Sequence, residues 1–338
     1  MEDCAERTEA AHDFSEKLNP LSSVKKVIGV VSGKGGVGKT TCAGALAVWS
    51  SRTSRTLVVS LDPAHNLGDV LGRALSGEIT EVAAGLWAGE VDMDAAIRRY
   101  LDASTQKLKG MYAYLKTINI DGYLEAMKLS PGIEEYATLQ VMEELIRNAE
   151  GRFDVVVFDT PPTGLTLRVL ALPRVSLLWG ERLTKLRREI LDRRQIIKNI
   201  SGERTYTIDG QQHVLASDEK SDEVMGELRD YVERMRRLTA LQSDPAVSRV
   251  MPVMNADRLS LFETQRALGT LKTLGMPVGP VIINKVGLKT SDAQTVQNIG
   301  REIGLPLRTI PFSSAEPVGM EALSALADKI DFNEWIPG

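Results

Sequence analysis

The sequence predicts an α/β fold, in which a mostly parallel β-sheet is flanked by helices and carries an inserted helical subdomain. Short apolar runs separated by helical segments recur along the chain, which is typical of strands buried on both faces of a parallel sheet. Ligands collect at the carboxyl ends of such strands, and the polar motifs of this sequence fall there. The predicted strands are residues 24–31, 56–61, 86–91 (expected at an edge), 154–158, 249–254, 281–284 and 307–310.

Two stretches, Leu101 to Arg147 and Trp179 to Leu241, interrupt this alternation with apolar residues at helical spacing. We expect residues 98–148 and 179–245 to form one helical subdomain inside a single domain covering residues 23–338. Two stripes define the second stretch: Leu183, Leu186, Ile190 and Ile197, followed by Val224, Leu228, Tyr231, Met235 and Leu238.

Two further segments are polar. Residues 1–22 are expected to form a loose arm. Between the two stripes, Asp209-Gly210 is flanked by β-formers. This pattern predicts a small hairpin at residues 204–215, with a flexible loop as the alternative.

Composition narrows the function. The formal net charge of −4 gives no support for a nucleic-acid partner held through phosphate contacts. The two cysteines, Cys4 and Cys42, form no Cys-x-x-Cys pair, so neither a zinc site nor a disulfide framework is expected. The N-terminus lacks the apolar stretch of a signal peptide, and no segment is apolar for long enough to span a bilayer. These observations predict a cytoplasmic protein.

The first motif that carries chemistry is a glycine-rich loop between a predicted strand and a predicted helix. Backbone N–H groups of such a loop converge on an anion, and the helix N-terminus adds its dipole. Lys39 is expected to reach the β- and γ-phosphates of a nucleotide, and Thr40 to offer its hydroxyl to Mg²⁺. The match is complete, which disfavours a glycine-rich turn that binds nothing. The predicted phosphate site is Gly33, Lys34, Gly35, Gly36, Val37, Gly38, Lys39, Thr40 and Thr41.

Two aspartates end predicted strands beside this loop. Asp62 follows the strand at 56–61, and Asp159 follows the strand at 154–158. A carboxylate in this position can orient the attacking water or hold the hydration shell of magnesium. The alternative for each is a helix N-cap. Because each aspartate lies within a longer motif, we favour the catalytic interpretation.

Four segments resemble the arsenical pump-driving ATPases and their relatives that target tail-anchored membrane proteins. The resemblance covers nearly the whole chain from Lys25 onward and keeps the order of the motifs. The most specific segment is the first, Asp-Pro-Ala-His-Asn-Leu-Gly-Asp. The four are residues 62–69, which resemble switch I, residues 159–168, which resemble switch II, residues 259–266 and residues 281–285.

This resemblance implies roles for individual residues. Asp62 activates the water, and Lys34 acts across a dimer on the partner's nucleotide. The alternative for Lys34 is a solvent-exposed lysine with no role at the nucleotide. Asn284 binds the adenine edge with the backbone around Pro311, and Asp257 stands where the family has a glutamate that contacts the nucleotide from the partner side. Switch II senses the γ-phosphate and magnesium through Asp159, Thr160, Pro161, Thr163 and Gly164.

The family also implies a homodimer that closes on ATP and joins two helical subdomains into a hydrophobic groove. We therefore expect a Mg²⁺-dependent ATPase that carries transmembrane segments of tail-anchored clients, with a membrane receptor as a further partner. Amphipathic helices from two subunits can supply a groove for a helix of about 20 residues. The expected groove lining is Met111, Tyr112, Leu115, Ile118, Met127, Leu186, Ile190 and Ile197, although each could instead be plain core.

Departures from the family pattern keep alternatives open. Residues 285–310 contain no cysteine, so the interfacial zinc pair of many family members is missing. Leu165 replaces the usual histidine of switch II. The alternatives are a diverged member with another client and an ATPase that drives arsenite or antimonite efflux, the latter disfavoured by the lack of suitable cysteines. Two other classes are disfavoured. An iron–sulfur scaffold ATPase needs paired cysteines near the C-terminus, and a positioning protein that binds DNA or a membrane needs a basic C-terminal helix. This sequence has neither feature.

Overall fold

The structure is a computed structural model that describes residues 24–32, 35–64, 66–111, 132–202, 205–208, 211–287 and 292–336. The predicted arm at residues 1–22 therefore lies outside the described residues. So do Gly33, Lys34 and the Asp209-Gly210 turn.

An eight-stranded sheet forms the centre of the molecule, with the order β10-β9-β8-β1-β5-β2-β4-β3. All neighbouring strands are parallel except β3 and β4. This confirms the predicted mostly parallel α/β fold. The strands are β1 (Lys26–Ser32), β2 (Thr56–Ser60), β3 (Thr80–Ala83), β4 (Leu86–Glu90), β5 (Val155–Asp159), β8 (Ser248–Asn255), β9 (Val281–Val286) and β10 (Leu307–Pro311).

The prediction of β4 as an edge strand is wrong. β3 precedes it in the chain and pairs with it antiparallel, so β3 is the edge and β4 lies one strand inside. The sequence pattern did not indicate β3 because its first two residues are exposed and its next two only half-buried. Such a strand lacks the apolar run that identifies the buried parallel strands.

Helices cover both faces of the sheet. On one face, α1 is buried almost all round and packs with the C-terminal residues Phe332 and Trp335. On the other face, a second cluster joins α3 and α4 to β2 and β5. The helices are α1 (Lys39–Ser50), α2 (Leu67–Leu71), α3 (Met93–Met111), α4 (Ile133–Ala149), α5 (Thr163–Ser201), α6 (Glu223–Ser243), α7 (Arg258–Thr273), α8 (Asp292–Ile303) and α9 (Met320–Ala327).

The longest helix, α5, runs for 39 residues directly from the loop after β5. It passes through Pro173 and begins well before Trp179, where the predicted helical stretch starts. Pro173 is buried, and the helix continues on both sides of it. Proline removes one backbone donor and usually kinks or breaks a helix. Because the helix continues through a buried proline, the tertiary packing of Pro173 outweighs its low helix propensity here.

The predicted helical stretches correspond to α3, α4, the distal part of α5, and α6. α6 packs along α5, and the two approach closely where Gly180 faces Val232. Between them, β6 (Thr205–Ile208) and β7 (Gln211–Val214) pair antiparallel, which favours the hairpin over the loop. No helix in the described part of the chain combines the length and the apolar character needed to cross a bilayer.

Candidate active site

The predicted phosphate loop connects β1 to α1 at the carboxyl edge of the sheet. Gly36 and Gly38 both have left-handed backbone conformations, with φ of 74° and 89°. A Cβ atom at Gly38 would lie 2.4 Å from the amide nitrogen of Asn284, so glycine is required there for two reasons. No side chain caps the N-terminus of α1. The backbone N–H groups of this turn are thus available to an anion.

Two residues at the end of β9 hold this loop from behind. The amide Nδ2 of Asn284 donates to the carbonyl oxygen of Val37 at 2.8 Å. The ammonium of Lys285 donates to the carbonyl oxygen of Gly36 at 3.1 Å. A peptide C=O and the following N–H point in opposite directions, so holding these carbonyls on one side directs the N–H groups of Val37 and Gly38 to the other. Asn284 and Lys285 therefore shape the phosphate cradle.

Lys285 reaches the loop because of its own backbone. It is the single residue other than glycine with a positive φ (56°) in the described part of the chain. Its backbone N–H donates to Oδ1 of Asn284 at 2.8 Å, which holds the asparagine amide in place. A non-glycine residue in this region carries strain that the surrounding contacts must offset. The hydrogen bonds of Asn284 to Val37 and of Lys285 to Gly36 supply such an offset.

The lysine of the loop lies between the two strand-end aspartates. The ammonium of Lys39 is 3.2 Å from Oδ2 of Asp62 and 3.6 Å from Oδ1 of Asp159, and it also donates to the carbonyl oxygen of Thr160. The two carboxylates come from adjacent strands, β2 and β5. Their convergence on Lys39 is the geometry expected from strands that end at the same sheet edge.

Asp159 is fully buried behind Thr40. Its Oδ2 accepts hydrogen bonds from the hydroxyls of Thr40 (2.8 Å) and Ser60 (3.3 Å), while its Oδ1 has no hydrogen-bond donor. Burial raises the pKa of Asp159, and Asp62 adds to the rise, whereas Lys39 and the two hydroxyls oppose it. The raised pKa follows because desolvation disfavours the charged form more than these partners stabilise it.

A cleft of about 860 Å³ opens in front of these groups. Its size suits a nucleotide, since small-molecule sites fall in the range of roughly 300–1,000 Å³. Most of the predicted site residues that the structure describes line it: Gly35, Gly36, Gly38, Lys39, Thr40, Thr41, Asp62, Thr163, Gly164, Asn284 and Pro311.

Other predicted residues lie outside the cleft wall. The side chain of Val37 is buried in the core beside α1. Thr160 and Pro161 support switch II from inside, since the Thr160 hydroxyl donates to Val30 O and Pro161 O accepts from Thr166. Asp257 caps α7, where its carboxylate accepts from the N–H and the hydroxyl of Ser260.

The N-cap alternative for the two strand-end aspartates finds no support. The N-cap of α2 is Asn66 and that of α5 is Pro162. Oδ1 of Asp62 accepts instead from the N–H of Ala64 at 3.1 Å, within the turn that follows β2. This bond orients the Asp62 carboxylate, leaving Oδ2 toward Lys39.

Sequence reasoning missed several residues of the site. Ser60 bonds both Asp159 and the N–H of Asp62, and the signal for it is a serine ending an otherwise apolar strand. Lys285 lies in the segment at residues 281–285 that resembles the family, but no role was predicted for it. Asn66 lies in the segment that resembles switch I, although no role was predicted for it. Further cleft residues carry no pattern of their own: Ser32, Phe312, Glu316, Pro317 and Lys329.

Comparison with known proteins agrees with this geometry. The family model described as Anion-transporting ATPase matches residues 25–331. The chain belongs to this family. It hydrolyses ATP, as the family and its named members do.

Named members of the family cover most of the chain. ATPase GET3C of Arabidopsis thaliana is 30% identical over 354 aligned residues, covering 95% of this chain and 86% of the relative. A protein of Aquifex aeolicus whose name includes the words arsenical pump-driving ATPase 2 is 27% identical over 318 residues, covering 90% and 97%. ATPase GET3 of Eremothecium gossypii is 29% identical over 299 residues, covering 82% and 78%.

Proposed function

We propose that this ATPase is Mg²⁺-dependent and acts as a nucleotide-switched homodimer that binds hydrophobic transmembrane segments of tail-anchored proteins and delivers them to a membrane receptor. The observation that carries the proposal is the apolar face of α5. This face consists of nine exposed side chains: Val175, Leu178, Trp179, Leu183, Leu186, Ile190, Ile196, Ile197 and Ile200.

The apolar face runs along most of α5 and is interrupted by three exposed charged residues within the same arc, Arg182, Glu189 and Arg193. At 100° per residue, its nine side chains fall within an arc of about 140°, and from Val175 to Ile200 it extends roughly 38 Å along the helix. A transmembrane helix of about 20 residues is roughly 30 Å long. The face is therefore long enough to lie along such a client.

The apolar face does not belong to the core. The buried residues Gly180 and Leu191 lie on the opposite side of α5, where α6 packs. Surface helices usually turn their apolar stripe toward the core. An apolar stripe on the solvent side supports an interaction with another molecule.

Of the expected groove residues, Leu186, Ile190 and Ile197 lie on the apolar face with exposed fractions of 53%, 36% and 40%. Tyr112, Leu115, Ile118 and Met127 lie outside the described residues, as does the side chain of Met111.

The apolar face is connected to the nucleotide cleft by α5 itself. The helix begins at Thr163, which lines the cleft together with Gly164. Arg168, one and a half turns later, pairs with Glu135 of α4 at 2.6 Å. A displacement of switch II thus has a direct mechanical route to the client-binding region, although Leu165 replaces the family histidine.

The residues beside Lys39 fit a magnesium ion. The hydroxyl of Thr40 and the carboxylate of Asp159 are in contact at 2.8 Å, and Oδ1 of Asp159 is a buried acceptor without a donor. Oxygen ligands of this kind suit Mg²⁺, which keeps several of its waters. We assign Thr40 to direct contact and Asp159 to contact through water. When bound, the ion offsets negative charge on the β- and γ-phosphates.

In hydrolysis, the loop amides and Lys39 hold the phosphates while Asp62 orients and deprotonates the attacking water. Its position supports this role, because its Oδ1 is fixed by Ala64 and its Oδ2 faces the Lys39 ammonium. In the proposed dimer, Lys34 of the second subunit stabilises charge on the transferring phosphoryl group. Asn284 and Pro311 contact the base, and Asp257 contacts the partner's nucleotide.

Some relatives are named for arsenical pumps, so metalloid efflux is the second candidate. Arsenite recognition by a protein of this kind requires accessible thiolates. Cys42 is fully buried, and burial raises its pKa to about 12, with Asp159 adding to the rise. A thiol in this state is inert. Cys4 lies outside the described residues. Within the described part of the chain, the chemistry of Cys42 favours the transmembrane client.

The test is retention of a tail-anchored substrate in solution. The full chain is co-expressed with a tail-anchored protein, purified in ATP and separated by size exclusion. A soluble complex that releases its client to vesicles carrying a receptor after hydrolysis supports the proposal. Equal aggregation of the substrate with and without the ATPase contradicts it. Stimulation of hydrolysis by arsenite or antimonite supports the second candidate instead.

A further inference from the structure

We propose that Glu90 is a positioning residue for ATP hydrolysis, which holds the switch I segment (residues 62–69) so that Asp62 faces the nucleotide. Glu90 is the last residue of β4. The inference rests on the proposed function, because Glu90 acts through Asp62, the residue proposed to orient the attacking water.

The start of switch I is fixed at the end of β2. The N–H of Asp62 donates to the Ser60 hydroxyl at 3.3 Å, and Oδ1 of Asp62 accepts from the N–H of Ala64 at 3.1 Å. The second bond ties the Asp62 carboxylate to the backbone two residues further on. The direction of this carboxylate therefore depends on the path of the segment between β2 and α2.

The end of switch I is held by Glu90. Its Oε1 accepts from the backbone N–H of Gly68, in the first turn of α2, at 2.9 Å. Asn66, at the N-cap position, makes no capping hydrogen bond with its side chain. Helices usually take such an acceptor from their own N-cap residue, but here it comes from a strand residue 22 positions later in the chain. Switch I is therefore tied to the sheet at both of its ends.

Glu90 has a fixed position relative to the start of switch I. β4 pairs with β2 in parallel, with Glu90 opposite Ser60. The N–H of Glu90 donates to the Ser76 carbonyl oxygen at 3.2 Å, and the N–H of Val91 donates to the Ser60 carbonyl oxygen at 3.0 Å. Groups that position a catalytic residue work best on rigid elements. The sheet thus sets the positions of the two anchors of switch I, Ser60 and Glu90.

The other end of α2 is held independently of Glu90. The N–H of Gly319 donates to the Val70 carbonyl oxygen at 2.9 Å, and a Cβ at Gly72 would lie 3.2 Å from Cα of Gly319. Gly319 follows residues 312–318, most of which line the nucleotide cleft. Loss of the Glu90 carboxylate therefore releases the end of α2 next to switch I and leaves its other end in place.

This arrangement predicts an effect on the rate of hydrolysis and not on ATP affinity. Glu90 is not among the described residues that line the cleft, whereas the phosphate loop and Lys39 are. The groups proposed to hold the phosphates therefore stay in place without Glu90. A misplacement of a catalytic group by about 1 Å can slow a reaction by about 100-fold.

Two substitutions at Glu90 test the hydrogen bond to Gly68. Single-turnover phosphate release gives the rate of hydrolysis, and calorimetry with a non-hydrolysable ATP analogue gives the affinity. We expect Glu90→Ala to lower the rate about 10- to 100-fold and to change the affinity less than about threefold. Glu90→Gln keeps an oxygen that can accept from Gly68, without the charge that strengthens the bond, so its rate should stay within about fivefold of wild type. The matched control is Glu81→Ala, which removes an exposed carboxylate of β3 and should retain both values.

A combination with Asp62→Asn distinguishes positioning from a general contribution to stability. If Glu90 acts through Asp62, Glu90→Ala adds little to the loss caused by Asp62→Asn, because the positioned group is already absent. If Glu90 only stabilises the fold, the two losses multiply. Melting temperatures show whether each variant is folded at the assay temperature. Glu90→Asp, which is one methylene shorter and lengthens the bond to Gly68, takes the place of Glu90→Ala if the latter does not fold.

The outcomes separate this inference from the proposed function. A rate of Glu90→Ala within about threefold of wild type, equal losses in Glu90→Ala and Glu90→Gln, or losses that multiply with that of Asp62→Asn overturn the positioning role of Glu90. Each of these results leaves the proposed role of Asp62 intact. An unchanged rate in Asp62→Asn overturns the role of Asp62 itself, and the inference with it.

Discussion

At the scale of single residues, Gly38 combines two constraints that the neighbouring Gly35 lacks. Gly38 has a φ of 89°, and the amide of Asn284 occupies the space where a Cβ would lie. A Cβ at Gly35 meets no atom within 4 Å. The two glycines therefore allow a matched comparison within one loop.

We predict that Gly38→Ala lowers the free energy of unfolding by about 1–3 kcal/mol, the cost of a left-handed non-glycine residue, while Gly35→Ala leaves it nearly unchanged. Thermal or urea denaturation without nucleotide measures both. In Gly38→Ala with Asn284→Ala, the clash is removed but the backbone strain stays, so the effects of the two changes should not add. Equal stability of the two single variants would contradict the assigned strain.

Asp62 offers a second prediction at this scale. Asp62→Asn should bind ATP with little loss, because the loop amides and Lys39 hold the phosphates. Turnover should fall about 100-fold or more, because general-base assistance contributes about 10²–10⁴ to rate. Nucleotide affinity by calorimetry and phosphate release separate the two effects. Asp94→Asn, an exposed carboxylate at the start of α3, is the control. Turnover unchanged in Asp62→Asn would remove Asp62 from the reaction.

The residues predicted from sequence are those whose role depends on a local motif. Lys39, Thr40 and Asp62 each lie in a short segment that fixes their position relative to a strand end. The roles of Ser60 and Lys285 depend on contacts 99 and 249 residues away. A serine at the end of an apolar strand marks Ser60 as a candidate, but no local pattern identifies these distant partners. The cap contact of Asp257 with Ser260 is local, whereas its contact with a partner's nucleotide remains a prediction from the family resemblance.

At the scale of elements, α5 and α6 show how tertiary contacts modify a local pattern. Periodicity predicted helix in both regions, and the stripe on α6 is core in part, with Met235 and Leu238 buried. The stripe on α5 has the same periodicity and is exposed. The spacing of apolar residues does not show which face of a helix is covered by another helix. To know the covered face, one must know where the two helices cross.

The crossing point is Gly180. A Cβ at Gly180 would lie 2.7 Å from Cγ2 of Val232, whereas a Cβ at Gly226 of α6 meets no atom within 4 Å. We predict that Gly180→Ala destabilises the fold by about 1–3 kcal/mol through overpacking. Gly226→Ala should stabilise it by up to about 1 kcal/mol, because glycine weakens a helix interior. Urea denaturation monitored by circular dichroism measures both; a stabilising Gly180→Ala would contradict the close crossing.

At the scale of the whole molecule, the strand order could not be read from the sequence, although the fold class could. Each buried strand is identified by its own apolar run. β1 lies between β5 and β8, which come from segments more than 120 and 220 residues later. The convergence of Lys39, Asp62 and Asp159 follows from this order.

The dimer is the remaining property at this scale, and it can be tested by complementation. Lys34 lies outside the described residues, so its proposed action across the interface rests on the family resemblance. Lys34→Ala and Asp62→Asn should each hydrolyse ATP slowly when alone. When both are co-expressed, a mixed dimer contains one site with an intact Asp62 and a partner that supplies Lys34.

Random pairing makes half of the dimers mixed, with one working site of two, so we expect about one quarter of wild-type activity in the co-expressed sample. If Lys34 acts within its own subunit, every site lacks either Lys34 or Asp62, and activity stays at the level of the separate variants. Phosphate release per subunit distinguishes these cases, and light scattering establishes whether the subunits pair. A monomer of wild-type activity would contradict both the dimer and the shared site.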